Sequence, residues 1–343
     1  MNSNISFTTR LPKTEGSPRI TIYDVDPNEQ CSITLSDTRT NESYTINNVT
    51  DGVYTSNKQW FGDWRIIVNY KGKAIHYESF NLEGKTSFVK LDSYALGDTL
   101  AWIPYVEEFR KKYKCKVICS TFHNHLLVDT YPDIMFIQPN IQIDNVYHQI
   151  YVGASDDNNT IYSPVNSKEI PLQSLPCHFL NLDYTEINPN LNLRLPNIKP
   201  FNGEKYVCIS EFASGINKMW NCIGGWQKVV DYLNDNRYKV VVISKEKTVL
   251  NNVIDMSGDN PIIERCYLLK HANFFIGVSS ALSWLSWSLG THVVMISDVT
   301  PIDHEFQSNI TRITKNPHLK NVDYTVSNFS DYDDVINRIS EIK

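Results

Sequence analysis

The sequence predicts an α/β protein: two Rossmann-like domains preceded by a small all-β N-terminal domain. Three observations carry this. Residues 19–82 alternate apolar and polar positions in short runs, split by Asp-Pro, Asp-Gly and Lys-Gly turns, which is the period of half-buried strands. From residue 87 the texture changes to short apolar runs followed by helical periodicity, as in βα units on a parallel sheet. A stretch with two prolines and no periodicity, Asn192 to Gly203, separates two such series. The expected boundaries are 1–85, 86–198 and 199–343.

The 343 residues suffice for two or three domains. With 32 basic against 38 acidic residues the formal charge is −6, which disfavours a dedicated nucleic-acid binder, although a local basic groove stays open. Seven scattered cysteines with no C-x-x-C pair make no disulfide framework and fit a reducing, cytoplasmic compartment. The N-terminus is polar, and no apolar run reaches the roughly 18 residues of a membrane span, so neither a signal peptide nor a span is expected.

Taken in order, residues 1 to about 17 read as a loose polar arm with Pro12 and Gly16. The strands RITIYDV, CSITLSDT, ESYTINNV, DWRIIVNY and AIHYESFNL follow. Asp24-Val25-Asp26 resembles a metal-binding D-x-D, but it runs into the Asp26-Pro27 turn and is read as part of that turn. The stretch Lys90–Tyr113 is the organising one. The strand SFVKL leads to a Leu96-Gly97-Asp98-Thr99 turn and an amphipathic helix with Leu100, Ile103, Val106 and Phe109 on one face. CKVICST, IMFIQPN and QIYVGA read as strands, NHLLVDTYPD and PLQSLPCHFLNLDY as helical, and His123-Asn124-His125 as a loop near the cleft. In the second half KYVCIS, KVVVIS, FFIGV and THVVMIS read as strands. GGWQKVVDYLNDN, IIERCYLLKHA, SSALSWLSWSLG and a closing DYDDVINRISEI read as helices.

Open α/β sheets bind ligands at the carboxyl ends of their strands. Asp98 occupies such a place. An acid at a helix start can cap the helix or take a proton from a hydroxyl, and the spacing alone leaves both open. Lys218 lies in the turn after the first strand of the second half, where a cation would meet a phosphate. Ser279 and Ser280 precede a helix, a geometry that serves as cap and as anion site alike. The tryptophans Trp220, Trp226, Trp284 and Trp287 are expected to pack.

Three blocks, ALGDTLAWIPYVEEFRKKY, ISEFASGINKMWNCIGGWQKVVDYL and FFIGVSSALSWLSWSLGTHVVMIS, lie in order between about residues 88 and 310. Together they resemble the autotransporter-modifying O-heptosyltransferases, relatives of the lipopolysaccharide heptosyltransferases. The resemblance implies the B-type glycosyltransferase fold. It also implies inverting transfer of a heptose from a nucleotide-diphosphate donor, ADP-heptose by expectation, to a hydroxyl acceptor such as protein Ser/Thr or a glycan. Carried onto this chain, it makes Asp98 the catalytic base. Thr99, Ser214, Lys218, Gly277, Ser279 and Ser280 would bind the nucleotide sugar, and Leu96, Gly97 and Trp102 the acceptor side. The family's Ser-Thr-Ala run before its Lys-x-Trp reads Ala213-Ser214-Gly215 here, and Ser279-Ser280 agrees with the autotransporter branch. The family also carries a cysteine-rich iron-binding motif, yet the matching stretch Thr311–Val326 has no cysteine. The expectation is therefore no metal and no cofactor beyond the nucleotide sugar as substrate. Alternatives stay open: lipopolysaccharide, capsule or a hydroxymethylated base in phage DNA as acceptor, or a non-catalytic sugar-nucleotide-binding protein. A homo-oligomer stays open as well.

Overall fold

The structure is a computed structural model that describes residues 6–10, 18–56, 60–143, 146–153 and 163–342. Its first strands are β1 (Ser6–Arg10), β2 (Arg19–Tyr23), β3 (Cys31–Asp37), β4 (Glu42–Asn47), β5 (Gly52–Thr55), β6 (Trp64–Tyr70) and β7 (Lys73–Ser79). They form two antiparallel sheets, ordered β1-β2-β5 and β4-β3-β6-β7. Alternation does the sorting. β3 and β6 bury every second residue, and Ile33, Leu35, Ile66 and Val68 join Ile20 and Ile22 in a core of their own. Two readings need correction. Residues 6–10 are not part of a loose arm, because they pair along the whole length of β2. The short β5 was hidden behind the Asp51-Gly52 turn signal. The rest of the expected arm lies outside the described residues.

A parallel sheet follows, built from β8 (Thr86–Lys90), β9 (Lys116–Ser120), β10 (Ile134–Ile137) and β11 (His148–Tyr151) in the order β10-β9-β8-β11. Helix α1 (Leu96–Tyr113) leaves β8, and α2 (Leu175–Leu180) comes later. Leu96-Gly97-Asp98-Thr99 is not a turn ahead of the helix but its first turn, with Ala95 at the extended cap position. An acid there meets the positive end of the helix dipole. NHLLVDTYPD forms a single 3₁₀ turn, Asn124–Leu126, rather than a helix.

The second parallel sheet contains β12 (Tyr206–Ile209), β13 (Lys239–Val242), β14 (Ile254–Asp255), β15 (Phe274–Val278), β16 (Val293–Ile296) and β17 (Ile310–Ile313). Its helices are α3 (Gly225–Asp235), α4 (Ile262–His271), α5 (Ala281–Ser288) and the closing α6 (Tyr332–Ser340). The order is β14-β13-β12-β15-β16-β17. Counted from its own first strand this is 3-2-1-4-5-6, the doubly wound dinucleotide-binding order, and the four-stranded parallel sheet repeats its first part as 3-2-1-4. Each sheet thus has a switch point, between β8 and β11 and between β12 and β15, where the flanking connections diverge and leave a crevice. β12, β15 and β16 are buried at every position, as a sheet covered on both faces requires.

The two parallel sheets meet through α1 and α5. A β-carbon on Gly97 would lie 3.1 Å from Cδ1 of Trp284 and 3.8 Å from Cα of Ala281, so glycine is what lets the two helix starts approach. All seven cysteines are free, and six of them are buried; Cys222 is half-exposed. Among the described residues no helix is long and apolar enough to cross a membrane.

Candidate active site

A cavity of about 900 Å³ lies where the carboxyl ends of the two parallel sheets face each other. Its wall comes from strand ends. Tyr94 to Asp98 follow β8, Gly153 follows β11, Ser214 and Lys218 follow β12, and Lys245 follows β13. Ser279, Ser280 and Ala281 follow β15, His304 and Glu305 follow β16, and Val322 and Tyr324 follow β17. Trp102, Trp284 and the segment carrying Lys168, Leu172 and Leu175 complete it. Of the residues expected from the sequence, Leu96, Gly97, Asp98, Trp102, Ser214, Lys218, Ser279 and Ser280 come together here.

Thr99 and Gly277 do not line the cavity. Thr99 is fully buried, with its hydroxyl 3.4 Å from that of Thr121, because one residue further along a helix turns the side chain by about 100° away from Asp98. Gly277 sits inside β15, where a β-carbon would stand 2.6 Å from the Phe275 ring, so its glycine serves packing in the sheet.

Asp98 is half-buried, and its Oδ2 accepts a 2.7 Å hydrogen bond from the Ser93 hydroxyl. Burial pushes its carboxyl above the ordinary range; the Ser93 hydroxyl, Lys218 and His304 pull part of the way back. A carboxylate of that kind is a better proton acceptor than an exposed one. Lys218 ends a one-turn 3₁₀ helix, Ile216–Lys218. Its carbonyl accepts a 3.2 Å bond from the Asn328 side chain, and its ammonium lies 5.5 Å from the centre of the Tyr324 ring. Trp102 donates its indole N–H to the Leu172 carbonyl at 3.0 Å and closes over Gly153, where a β-carbon would collide with the ring.

At the start of α5 the two serines differ. Ser279 donates its hydroxyl to Glu305 Oε1 at 2.6 Å, so its proton is committed. The Ser280 Oγ is buried without a partner. Glu305 forms a buried ion pair with Arg312 and accepts a 3.2 Å bond from Thr300. Burial pushes its carboxyl up, but Arg312, His304 and the Ser279 hydroxyl outweigh it and hold it at about 2. Burial, with Lys218 adding, pushes the His304 imidazole below its usual value, against the pull of Glu305. The sequence reading passed over His304, Glu305 and Lys245. The strand-end rule applied to KVVVIS and THVVMIS would have found all three.

The family model for glycosyltransferase family 9 (heptosyltransferase) matches residues 172–305. The autotransporter heptosyltransferase BAHTCr of Citrobacter rodentium is 33% identical over 75% of this chain and 66% of its own. The autotransporter heptosyltransferase Aah of Escherichia coli is 33% identical over 74% of this chain and 68% of its own. The chain therefore spans about two thirds of the length of these curated relatives. A further relative, from Burkholderia thailandensis, is described as an inactive autotransporter heptosyltransferase; it is 28% identical over 82% of this chain and 69% of its own. The crystal structure of TibC from enterotoxigenic E. coli, described as an iron-containing dodecameric glycosyltransferase, superposes with a TM-score of 0.85 at 25% identity, covering 98% of this chain and 95% of that one. A second structure of TibC, in complex with ADP-D-beta-D-heptose, gives the same TM-score at 24% identity and the same coverage.

The TibC comparison corrects the expectation of a chain without metal or cofactor, since a protein alike over nearly this whole chain is iron-containing. Among the described residues no three His, Cys, Asp or Glu side chains come together as a metal cage would need. The residues described do not fit such a centre, and no chemical step below passes through one. On the identity and coverage of the Aah match, the chain belongs to the autotransporter heptosyltransferases of glycosyltransferase family 9.

Proposed function

We propose that this protein transfers a heptose from ADP-heptose to a hydroxyl of an autotransporter protein, with inversion at the anomeric carbon. The observation that carries the reading is the meeting of Asp98 and Lys218 in one cavity from the first βα turns of two facing sheets. Asp98 takes the proton of the acceptor hydroxyl while its oxygen forms the new bond to the anomeric carbon. The bond from that carbon to the diphosphate oxygen breaks, and ADP leaves with the electron pair. Lys218, the Ser280 hydroxyl and the start of α5 stabilise the charge that grows on the diphosphate. Attack comes from the side opposite the leaving group, which is what inverts the centre.

On this reading residues 1–85 flank the catalytic pair of units, 86–198 hold the acceptor and 199–343 hold the donor. Six buried, unpaired cysteines support action in a reducing compartment, the cytoplasm. The TibC assembly supports a homo-oligomer. Relatives that modify autotransporters favour a protein acceptor over lipopolysaccharide or DNA.

The test is transfer of radiolabelled heptose from ADP-heptose to a purified autotransporter passenger, with Asp98→Asn alongside. Labelled passenger with the parent and background label with the variant is the expected result. A parent that binds ADP-heptose but labels nothing would place the chain with the inactive relative.

A further inference from the structure

The His304 ring has one nitrogen without a partner. Its Nδ1 is buried and makes no hydrogen bond, although the ring lines the cavity. Burial, with Lys218 adding, pushes the imidazole below its usual value, which favours the neutral ring with one donor and one acceptor nitrogen. The His304 backbone is anchored: its carbonyl accepts the Leu172 N–H at 2.8 Å, across to the segment that Trp102 holds.

A buried ring nitrogen without a partner carries a free-energy penalty that a ligand hydroxyl would remove in either tautomer, because a hydroxyl both donates and accepts. Position narrows the choice. His304 lines the cavity together with Asp98 and Lys218, the base and the phosphate clamp between which the transferred sugar of the donor would sit. We propose that Nδ1 of His304 hydrogen-bonds a hydroxyl of that sugar, so that His304 reads the sugar while the Lys218 and α5 side holds the nucleotide diphosphate. The inference rests on the donor reading above.

Calorimetry with ADP and with ADP-heptose, on the parent and on His304→Ala, His304→Asn and His304→Gln, tests it. The Asn side-chain amide falls near the place of Nδ1, whereas Gln reaches towards the other nitrogen. Affinity for ADP-heptose is expected to fall about three- to tenfold in the Ala and Gln variants and to recover in Asn, with ADP affinity unchanged throughout. In turnover the loss should appear in KM more than in kcat. Equal losses for ADP and ADP-heptose would mark the ring as packing and overturn the proposal. Unchanged ADP-heptose affinity in His304→Ala, or a Gln variant that binds as well as Asn, would overturn it too. A parent that binds ADP but not ADP-heptose would sink the donor reading itself, an outcome separate from these.

Discussion

Gly97→Ala separates the geometry of the cleft from the stability of the fold. The new β-carbon would lie 3.1 Å from Cδ1 of Trp284. Ordinary carbon contacts begin near 3.5 Å, so one neighbour must give by a few tenths of an ångström. Trp284 cannot retreat freely. It stands edge-on between Trp287 and Phe306, with ring centres at 5.7 and 5.1 Å. The helix start, which carries Asp98 one residue on, yields instead. Overpacking costs about 1–3 kcal/mol, and this contact belongs at the low end. Replacing glycine within a helix returns about 0.5–1 kcal/mol. The two nearly offset, so the melting temperature should move by no more than a few degrees. Catalysis has no such compensation, because a misplacement of 1 Å can cost about a hundredfold. A shift of a few tenths should cost about tenfold in kcat/KM. Thermal unfolding followed by circular dichroism and initial rates of heptose transfer give both numbers on one preparation. A variant with the parent's kcat/KM would refute the argument that the contact of α1 with α5 sets the position of Asp98.

The other predictions concern charge. Asp98→Asn should lower kcat by about two to four orders of magnitude and leave ADP affinity unchanged by calorimetry. Because burial raises the Asp98 carboxyl and Lys218 lowers it, the acid limb of kcat/KM should sit above the usual carboxylate range and move further up in a conservative Lys218→Gln variant; a limb that stays put would detach the two residues. Lys218→Ala should weaken ADP binding about ten- to a hundredfold, a charge-assisted contact being worth roughly 1.5–3 kcal/mol, and weaken adenosine binding much less. His148 is buried with its Nδ1 2.7 Å from the Ser87 hydroxyl, and burial lowers its pKa from 6.5 to about 3. Below pH 6.5 the unfolded chain takes up a proton that the folded chain refuses, so this residue should contribute a loss of up to about 1.4 kcal/mol per pH unit as pH falls towards 3. Urea titrations of parent and His148→Gln across that window should show the variant with the shallower slope.

Local pattern made much of the architecture readable. The unit β8–α1, the helix α3 and the strands β12, β15 and β16 were legible because their apolar runs and periods are complete within each element. What escaped depends on partners far along the chain. β17 is half polar and only partly covered, and it is a strand because it pairs with β16. The segment around α2 is a 3₁₀ turn, Leu172–Ser174, and six α-helical residues, and Gln173 in that turn bonds the Ile187 backbone through both ends of its amide at 2.8 and 3.2 Å. In the site, Asp98, Lys218 and the serine pair were marked by their places after strands. Thr99 and Gly277 were drawn in by adjacency to those motifs, and the twist of a helix and the pleat of a strand turn them elsewhere. The bracket of Ser279, Glu305 and Arg312 joins residues 26 and 7 positions apart, which no periodicity announces.

The distribution of the cysteines makes the protein behave, towards reagents, almost as a single-thiol molecule. Burial pushes the thiols of Cys115, Cys177 and Cys266 up to about 11, 12 and 12, and raises Cys31, Cys119 and Cys208 as well, so few thiolates are present near neutrality and those are shielded. Cys222 alone is half-exposed, four residues after Lys218 on the loop that leads into α3. A maleimide dye under mild conditions should therefore attach at one place without any cysteine being removed by mutagenesis. That place is on the loop that carries Lys218, where, on the function proposed above, fluorescence should follow the arrival and departure of the nucleotide sugar in real time.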